Sequence, residues 1–224
     1  MCNDRRTLLW FANQRAVEYH PALVRVERED RVTHVVLDLD PPSEDAFGAG
    51  VQVAHLVRQV LTGARLEGAV KTSGAKGIHV FVPIKDEVSM EDASAATRAL
   101  AARVASLDPQ LATTAFVKED REGKVFVDST RGGGATVVAA YSPRIRPGVP
   151  VSFPVGWDDL GSVAPSDFTI HTAVDLLAEH DPWSELMPEP QSLGSDLIAE
   201  GQAIPIGRVK AMHEGKRRKR EQRG

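Results

Sequence analysis

The sequence predicts a domain that mixes helices and strands, α/β or α+β, rather than a β-sandwich. Three observations support this class. Only 5% of the 224 residues are aromatic, while Val, Ala and Leu are abundant. Apolar runs of strand length alternate along the chain with stretches of helical periodicity. The length, with 42% hydrophobic residues, suffices for one large domain or two small ones with a real core.

The first half of the chain predicts helices and strands in alternation. In order, they are a helix or ordered segment at 8–17, a strand at 32–40, a helix at 51–61 and strands at 69–72 and 78–82. The strand at 32–40 contains the apolar run Val35-Val36-Leu37 and stops at Pro41-Pro42. The helix at 51–61 is indicated by apolar residues spaced three and four apart.

The second half continues the alternation. It predicts a helix at 91–107, strands at 124–128 and 136–140, an extended proline-rich connection at 144–154 and a helix at 169–180. The first of these helices has one apolar face, with Pro109 just beyond its end. From Met187 onward the chain loses periodicity and gains Pro, Gly and charge. We therefore expect one domain over residues 1–186 and a low-structure tail over residues 187–224.

Three features exclude whole classes of protein. No apolar run approaches the roughly 20 residues that a membrane-spanning helix needs. The first six residues lack the apolar stretch of a signal peptide. Cys2 is the only cysteine, which excludes an internal disulfide framework and a cysteine-rich zinc site. We therefore expect a cytoplasmic protein with no membrane partner.

The formal net charge of −4 is unevenly distributed. Residues 207–224 hold eight Lys or Arg against two Glu, a balance of +6 that leaves −10 for residues 1–206. Such a negative charge disfavours nonspecific binding of nucleic acid over the surface of residues 1–206. Any polyanion that binds there must contact a local cluster of cationic side chains or metal ions. The basic run at 216–220 either binds phosphates or serves as a solubilising end.

Two aspartates follow an apolar strand, and a third ends another. Asp38 and Asp40 are two residues apart, so they share one face of the strand, about 6.6 Å apart, while Leu37 and Leu39 face the other way. Two carboxylates this close repel unless a cation lies between them. If the strand that Asp128 ends is a neighbour, the three carboxylates can hold two Mg²⁺ or Mn²⁺ ions, an arrangement used for phosphoryl transfer. The alternative is that each Asp only starts a turn or caps a helix.

A polar turn with the sequence KTSGAKGIH lies at residues 71–79, between apolar strands. Gly74 and Gly77 let backbone N–H groups turn toward an anion, and Lys76 adds a positive charge. The segment is not a Walker A loop, because the order of residues differs and a strand follows it instead of a helix. The alternative is an ordinary hairpin turn with a solvated lysine.

Arg121, Arg144 and Arg146 are further cationic candidates, because a guanidinium binds two phosphate oxygens at once. Arginines in such positions are also common as plain surface charges. His20 and His79, each taken alone, fit a structural histidine better than a catalytic one.

Taken together and in order, these segments resemble the polymerase domain of bacterial ATP-dependent DNA ligase D, a branch of the archaeo-eukaryotic primase superfamily. The matching stretches are WFANQRAVEYHP at 10–21, VVLDLDP at 35–41, VKTSGAKGIHVFVP at 70–83, KVFVD at 124–128, AYSPRIRPGVP at 140–150 and WDDL at 157–160. The resemblance covers residues 8–183 without reordering. The combination of DLDP with KTSGxKGxH is specific to this family, although neither piece is specific alone.

The resemblance implies an α+β, primase-polymerase-like core with a mixed or antiparallel central sheet flanked by helices. It also implies a template-dependent nucleotidyltransferase that adds NTPs or dNTPs to a primer 3′-hydroxyl in double-strand break repair by non-homologous end joining. Its implied partners are primer-template or gapped DNA and separate ligase and end-binding proteins, at the nucleoid of a bacterial cytoplasm.

By the same resemblance, Asp38, Asp40 and Asp128 are catalytic and hold two Mn²⁺ or Mg²⁺ ions. The implied nucleotide-binding residues are His20, Ser73, Gly74, Lys76, Gly77, His79, Arg121 and Arg144.

Two departures from the family keep alternatives open. From the resemblance we expect that the segment that family members have ahead of Leu8, which holds template and a 5′-phosphate, is lacking, and that the stretch after Asp128 is one residue shorter. One alternative is therefore a truncated module that binds nucleotide or DNA ends without turnover. Another is a D-x-D phosphohydrolase with Asp38 as its covalent nucleophile, although Pro42 stands where that class usually has Thr or Val.

Overall fold

A computed structural model of the chain describes residues 2–177 and 180–207. The helices within these residues are α1 (Arg5–Asn13), α2 (Phe47–Gly63), α3 (Met90–Leu107), α4 (Thr172–Leu176), α5 (Pro182–Leu186) and α6 (Ser195–Ala203). The strands are β1 (Val24–Arg25), β2 (Arg28–Val32), β3 (His34–Asp40), β4 (Ala69–Thr72), β5 (Ile78–Pro83), β6 (Ala112–Thr113), β7 (Val125–Asp128) and β8 (Pro154–Val155).

The central sheet has six strands in the order β6-β7-β3-β5-β4-β8. Every neighbouring pair is antiparallel except β6 and β7, which are parallel. The sheet is therefore mixed, and the α+β class that the sequence predicts is confirmed.

The alternation of side chains along β3 separates two faces of the sheet. Val35, Leu37 and Leu39 are buried in the main core, together with the apolar residues of α2 and α3. Val36 faces the other way and belongs to a smaller apolar cluster with Phe81. Beyond this cluster the second face becomes polar, because Asp38 and Asp40 take the next two positions on it.

The N-terminal residues form a helix and a separate two-stranded ribbon, β1 and β2. The helix expected at 8–17 exists but begins earlier, because the side chain of Asp4 accepts a hydrogen bond from the backbone N–H of Thr7 and caps it. No residue of α1 is buried. This part of the chain thus contributes a surface helix and a ribbon.

The strand expected at 136–140 is wrong. Val137 and Val138 are buried, and the N–H groups of Val137 and Ala139 donate to the carbonyls of Pro21 and Tyr19. Pro21 has no N–H to return, so the pairing stops at one isolated bridge and no ladder forms. The helix expected at 169–180 is shorter, α4 ending at Leu176, and residues 178–179 of that prediction lie outside the described residues.

The low-structure tail expected over 187–224 is also wrong for its described part. Helix α6 packs on α3, with Leu197 buried and the side chain of Arg98 donating to the carbonyl of Gly201. Before it, the side chain of Gln191 accepts from the N–H of Glu67 and donates to its carbonyl. The few apolar residues of α6 pack against α3, which is already formed. A helix of this kind can therefore be stable without a long periodic pattern of apolar residues in its own sequence. Residues 208–224 lie outside the described residues.

Among the residues that the structure describes, no helix has both the length and the apolar character needed to cross a bilayer.

Candidate active site

One row of side chains crosses the central sheet on the face away from α2 and α3. The antiparallel register sets Asp38 of β3 opposite Asp128 of β7 on one side and opposite His79 of β5 on the other. His79 is in turn opposite Lys71 of β4. Asp40, two residues after Asp38, lies on the same face. The structure therefore brings the three predicted carboxylates together on adjacent strands.

Two cations contact Asp40. Nζ of Lys76 lies 2.9 Å from its Oδ1, and Nη1 of Arg121 lies 3.2 Å from its Oδ2. Arg121 is itself held in place, because it donates to two backbone carbonyls and its guanidinium lies over the Phe126 ring, 3.8 Å from the ring centre. Lys76 also donates to the carbonyl of Pro41. The predicted phosphate-binding cations are thus fixed beside the predicted metal ligand.

Arg131 lies between the other two carboxylates. Its Nε is 3.6 Å from Asp38 and 3.8 Å from Asp128, while Nε2 of His79 is 3.4 Å from Asp38. Burial alone raises the pKa of Asp38, but His79, Arg131 and Lys71 outweigh it and hold that pKa below its usual value. The motifs do not identify Arg131, although its position three residues after Asp128 is a signal that sequence reasoning had available.

The turn at residues 73–77 is shaped by Ser73. Its Oγ accepts hydrogen bonds from the N–H groups of Ala75 and Gly77, at 3.2 and 3.1 Å. These two N–H groups therefore close the turn and do not point at an anion. Gly74 has φ +67°, and a Cβ on it would lie 2.7 Å from Cγ of Arg144, so glycine is required there. The lysine of the turn is not solvated freely, since Lys76 is paired with Asp40.

Arg144 and His20 meet at Glu18. Nε of Arg144 lies 3.3 Å from Oε2 of Glu18 without hydrogen-bond geometry, and Nε2 of His20 lies 3.0 Å from the same oxygen. Arg144 also donates through Nη1 to the carbonyl of Ser73, at 2.5 Å. The segment that follows β7 is thereby tied to the turn between β4 and β5.

Most of these groups line one cavity of about 510 Å³. Ten of the eleven predicted site residues line it, and Gly74 does not. Five Lys or Arg side chains face three carboxylates there, because Arg131 and Arg146 join the predicted Lys76, Arg121 and Arg144. The cavity therefore has an excess of positive charge in a body that is acidic overall, as a polyanion site requires.

The carboxylates suit a divalent cation in type and in register, because Mg²⁺ and Mn²⁺ prefer carboxylate oxygens. In the described part of the chain, however, no three Asp, Glu, His or Cys side chains are gathered closely enough to hold a metal ion. The ion pairs explain this, since Asp40 turns toward Lys76 and Arg121, while Asp38 and Asp128 turn toward Arg131.

Comparison with known proteins gives a consistent family. A family model described as "LigD, primase-polymerase domain" matches residues 1–183. The chain is 31% identical over 195 residues to the "Bifunctional non-homologous end joining protein LigD" of Bacillus subtilis, covering 85% of this chain and 32% of that protein. It is 34% identical over 181 residues to the "Multifunctional non-homologous end joining protein LigD" of Mycolicibacterium smegmatis, covering 80% of this chain and 24% of that protein.

The fold matches a solved structure titled the polymerase domain from Mycobacterium tuberculosis ligase D in complex with DNA. The TM-score is 0.68 at 29% sequence identity, and the match covers 81% of this chain and 68% of that one. The chain thus spans only about a quarter to a third of the curated relatives, in the part that corresponds to their polymerase domain.

Proposed function

The chain belongs to the LigD primase-polymerase family, and on that basis we propose that it is a template-dependent nucleotidyltransferase acting in DNA repair. It adds NTPs or dNTPs to the 3′-hydroxyl of a primer at double-strand breaks joined by non-homologous end joining. The observation that supports this most is the placement of Asp38, Asp40 and Asp128 on one face of the sheet, inside a cavity with five cationic side chains.

In this proposal the three carboxylates hold two Mn²⁺ or Mg²⁺ ions. When bound, such ions make a hydroxyl more acidic and offset phosphate charge. Lys76, Arg121 and Arg131 now engage these carboxylates, so they are the side chains that become available to phosphate oxygens when the carboxylates take other partners. Exchange of partners within one cavity keeps the charges of the site paired in both states.

The reaction forms one P–O bond and breaks another, and the primer hydroxyl loses its proton to water. The primer 3′-oxygen attacks the α-phosphorus of the nucleotide, the bond to the β-phosphate breaks, pyrophosphate leaves, and the hydroxyl proton is released. Lys76, Arg121 and Arg144 offset the negative charge that develops on the leaving group, because they line the cavity beside the carboxylates. His20, Ser73 and His79 complete the nucleotide site in this proposal, while Gly74 and Gly77 shape the turn that carries Ser73 and Lys76.

The proposed partners are the nucleotide, a primer-template or gapped DNA, and separate ligase and end-binding proteins in the bacterial cytoplasm at the nucleoid. Two findings support DNA as the partner: the similar structure contains DNA, and the similar proteins have end joining in their names. Ligase and end-binding proteins are proposed because the similar proteins are named for non-homologous end joining.

The test is primer extension on a gapped duplex with a 5′-phosphate, with NTPs or dNTPs and with Mn²⁺ or Mg²⁺. Wild type is compared with Asp38→Asn and Asp128→Asn, and Asp175→Asn in the exposed part of α4 is the matched control. We expect template-directed extension that both site variants lose at least about 100-fold and that the control keeps.

Two other outcomes would contradict the proposal. Nucleotide binding in a titration with no extension under either metal would indicate a binding module. A covalent phosphate on Asp38 would indicate the phosphohydrolase alternative.

A further inference from the structure

Lys71 is the largest side chain that is fully buried in the described part of the chain. It lies on β4, two strands away from Asp38, and does not line the cavity. A buried ammonium normally pairs with a carboxylate, because the loss of hydration is costly. The hydrogen-bond partners of this one are two neutral groups, Nδ1 of His79 at 3.0 Å and Oγ of Ser152 at 2.5 Å.

The direction of these hydrogen bonds follows from Ser152. Its hydroxyl donates to the carbonyl of Thr72, at 2.7 Å, so its oxygen is left to accept from Lys71. Of the three N–H groups of the ammonium, one therefore goes to Ser152 and a second points to His79. The Phe81 ring lies on a further side, with its centre 5.5 Å from Nζ. Lys71 is thus held as a donor toward Nδ1.

A donor at Nδ1 determines where His79 keeps its proton. A neutral imidazole has one N–H and one acceptor nitrogen. If Nδ1 accepts from Lys71, the proton is on Nε2, and Nε2 faces Oδ1 of Asp38 at 3.4 Å. The opposite tautomer would set two acceptors against each other at Asp38 and two donors against each other at Lys71.

We propose that Lys71 is a positioning residue for His79, which it holds from behind the sheet face as the Nε2–H tautomer with its donor directed into the cavity. Lys71 contacts neither the carboxylates nor the cavity, so apart from the positive charge it places near Asp38 it acts through the histidine. The consequence for catalysis rests on the proposed function, whereas the tautomer itself does not.

Burial supports a role beyond packing. Loss of hydration lowers the pKa of Lys71 to about 7, although the nearby Asp38 opposes this shift. Burying a lysine in a strand costs hydration free energy, and a lysine buried in this way is more typical of a functional site than of a hydrophobic core. A methionine fills the same volume without the charge.

The first test is a long-range ¹H–¹⁵N spectrum of the metal-free and nucleotide-free protein, recorded below pH 7 so that Lys71 is an ammonium. The His79 signals are assigned by their loss in His79→Gln, since the chain has seven histidines. In wild type we expect a protonated Nε2 and an unprotonated, hydrogen-bonded Nδ1. In Lys71→Met we expect this pattern to be lost, whereas Lys85→Met, at an exposed position, keeps it.

A wild-type spectrum with the proton on Nδ1 would overturn the proposal, as would an unchanged pattern in Lys71→Met. Because the wild-type spectrum needs no variant, the proposal stays testable even if Lys71→Met does not fold. The spectrum also needs no activity, so a protein that incorporates no nucleotide but shows the expected tautomer contradicts the proposed function alone.

The second test is a double-mutant cycle in primer extension. We expect Lys71→Met to lower kcat/KM for the nucleotide by about 10- to 100-fold, as removal of an orienting partner does. In the His79→Gln background the same substitution should cause a much smaller loss, because most of its effect passes through the histidine and only the charge near Asp38 remains. Losses that multiply in the double variant would show that Lys71 acts by another route.

Discussion

At the scale of single residues, Lys76 is paired with Asp40 at 2.9 Å and is partly exposed to the cavity, so a phosphate that binds there competes with Asp40 for the ammonium. An ammonium–phosphate contact is a charge-assisted hydrogen bond of about 1.5–3 kcal/mol. The net gain from the nucleotide is smaller, because the pair with Asp40 is weakened.

We therefore expect Lys76→Met to raise KM for the nucleotide by about 10-fold or more, with a smaller effect on DNA affinity. The measurement is steady-state extension at varied nucleotide concentration, and Lys118→Met, at an exposed position, is the control. An unchanged KM would mean that Lys76 belongs to the turn and not to the nucleotide site.

Glu18 is a second residue whose environment gives a measurable prediction. Burial alone raises its pKa, but the N–H of Ile145 at 2.7 Å, together with His20 and Arg144, lowers that pKa to about 2. The unfolded chain has the ordinary value of 4.5 and so binds the proton more readily between these values. The carboxylate thus stabilises the fold fully above pH 4.5, and this contribution is lost as the pH falls toward 2.

Glu18→Gln removes this dependence. We expect the melting temperature of the variant to fall less than that of wild type between pH 6 and pH 3, while the exposed Glu27→Gln behaves like wild type. Parallel curves for Glu18→Gln and wild type would show that the contacts to Ile145, His20 and Arg144 do not form.

At the scale of elements, the contact between α3 and α6 depends on Gly201. A Cβ at this position would collide with the backbone carbonyl of Ala95 on α3. We expect Gly201→Ala to lower the free energy of unfolding by about 1–3 kcal/mol, because α6 must move off α3. Gly48 of α2 has open space around it, so Gly48→Ala should leave stability unchanged or raise it by up to about 1 kcal/mol.

Urea denaturation of both variants measures the two effects. Opposite signs support the docking of α6. If Gly201→Ala is as stable as Gly48→Ala, α6 is not docked on α3, and the sequence prediction of a low-structure tail from Met187 onward would be supported.

The elements also show which parts of the fold the sequence predicts. β3, β5, β7, α2 and α3 are found from their patterns because each has a buried face of its own, and the pattern reports burial. The segment at 136–140 has similar apolar residues, but its partner contains a proline, and partner identity is not visible in a local pattern. Helix α6 is not predicted because it has few apolar residues, and these are buried only by packing against α3.

The residues of the candidate site also fall into those that local sequence patterns predict and those that depend on long-range packing. Residue type and spacing are sufficient to find Asp38, Asp40 and the turn at 71–79, because two-residue periodicity and glycine are local properties. The register that sets Asp128 beside Asp38 is a long-range property. Lys71 is missed because a lysine in a strand usually indicates an exposed position, and only the packing shows that this one is buried.

At the scale of the whole molecule, charge is separated between the body and the cavity. Residues 1–206 have a net charge of −10, whereas five cations and three carboxylates line the cavity. On the proposed function, we expect a duplex to be repelled by the acidic surface except at the cavity, and the body to favour ends and gaps over the length of a duplex. Residues 207–224 have a net charge of +6, which offsets part of the negative charge of the body.

The basic run at 216–220 gives the prediction at this scale, which rests on its sequence charge alone, since these residues lie outside the described part. The variant replaces five cations together: Lys216→Gln, Arg217→Gln, Arg218→Gln, Lys219→Gln and Arg220→Gln. Each phosphate that a protein neutralises contributes about −0.9 to the slope of log K against log salt, so we expect the variant to reduce the slope by up to about 4.5.

The measurement is duplex binding by fluorescence anisotropy at several salt concentrations, with Arg25→Gln and Arg28→Gln in the exposed ribbon as the control for loss of charge elsewhere. Extension at saturating DNA should be unchanged, because the cavity keeps all its cations. If the slope is the same with and without the five charges, the basic run makes no phosphate contact, and the cavity alone must account for DNA binding by an acidic protein.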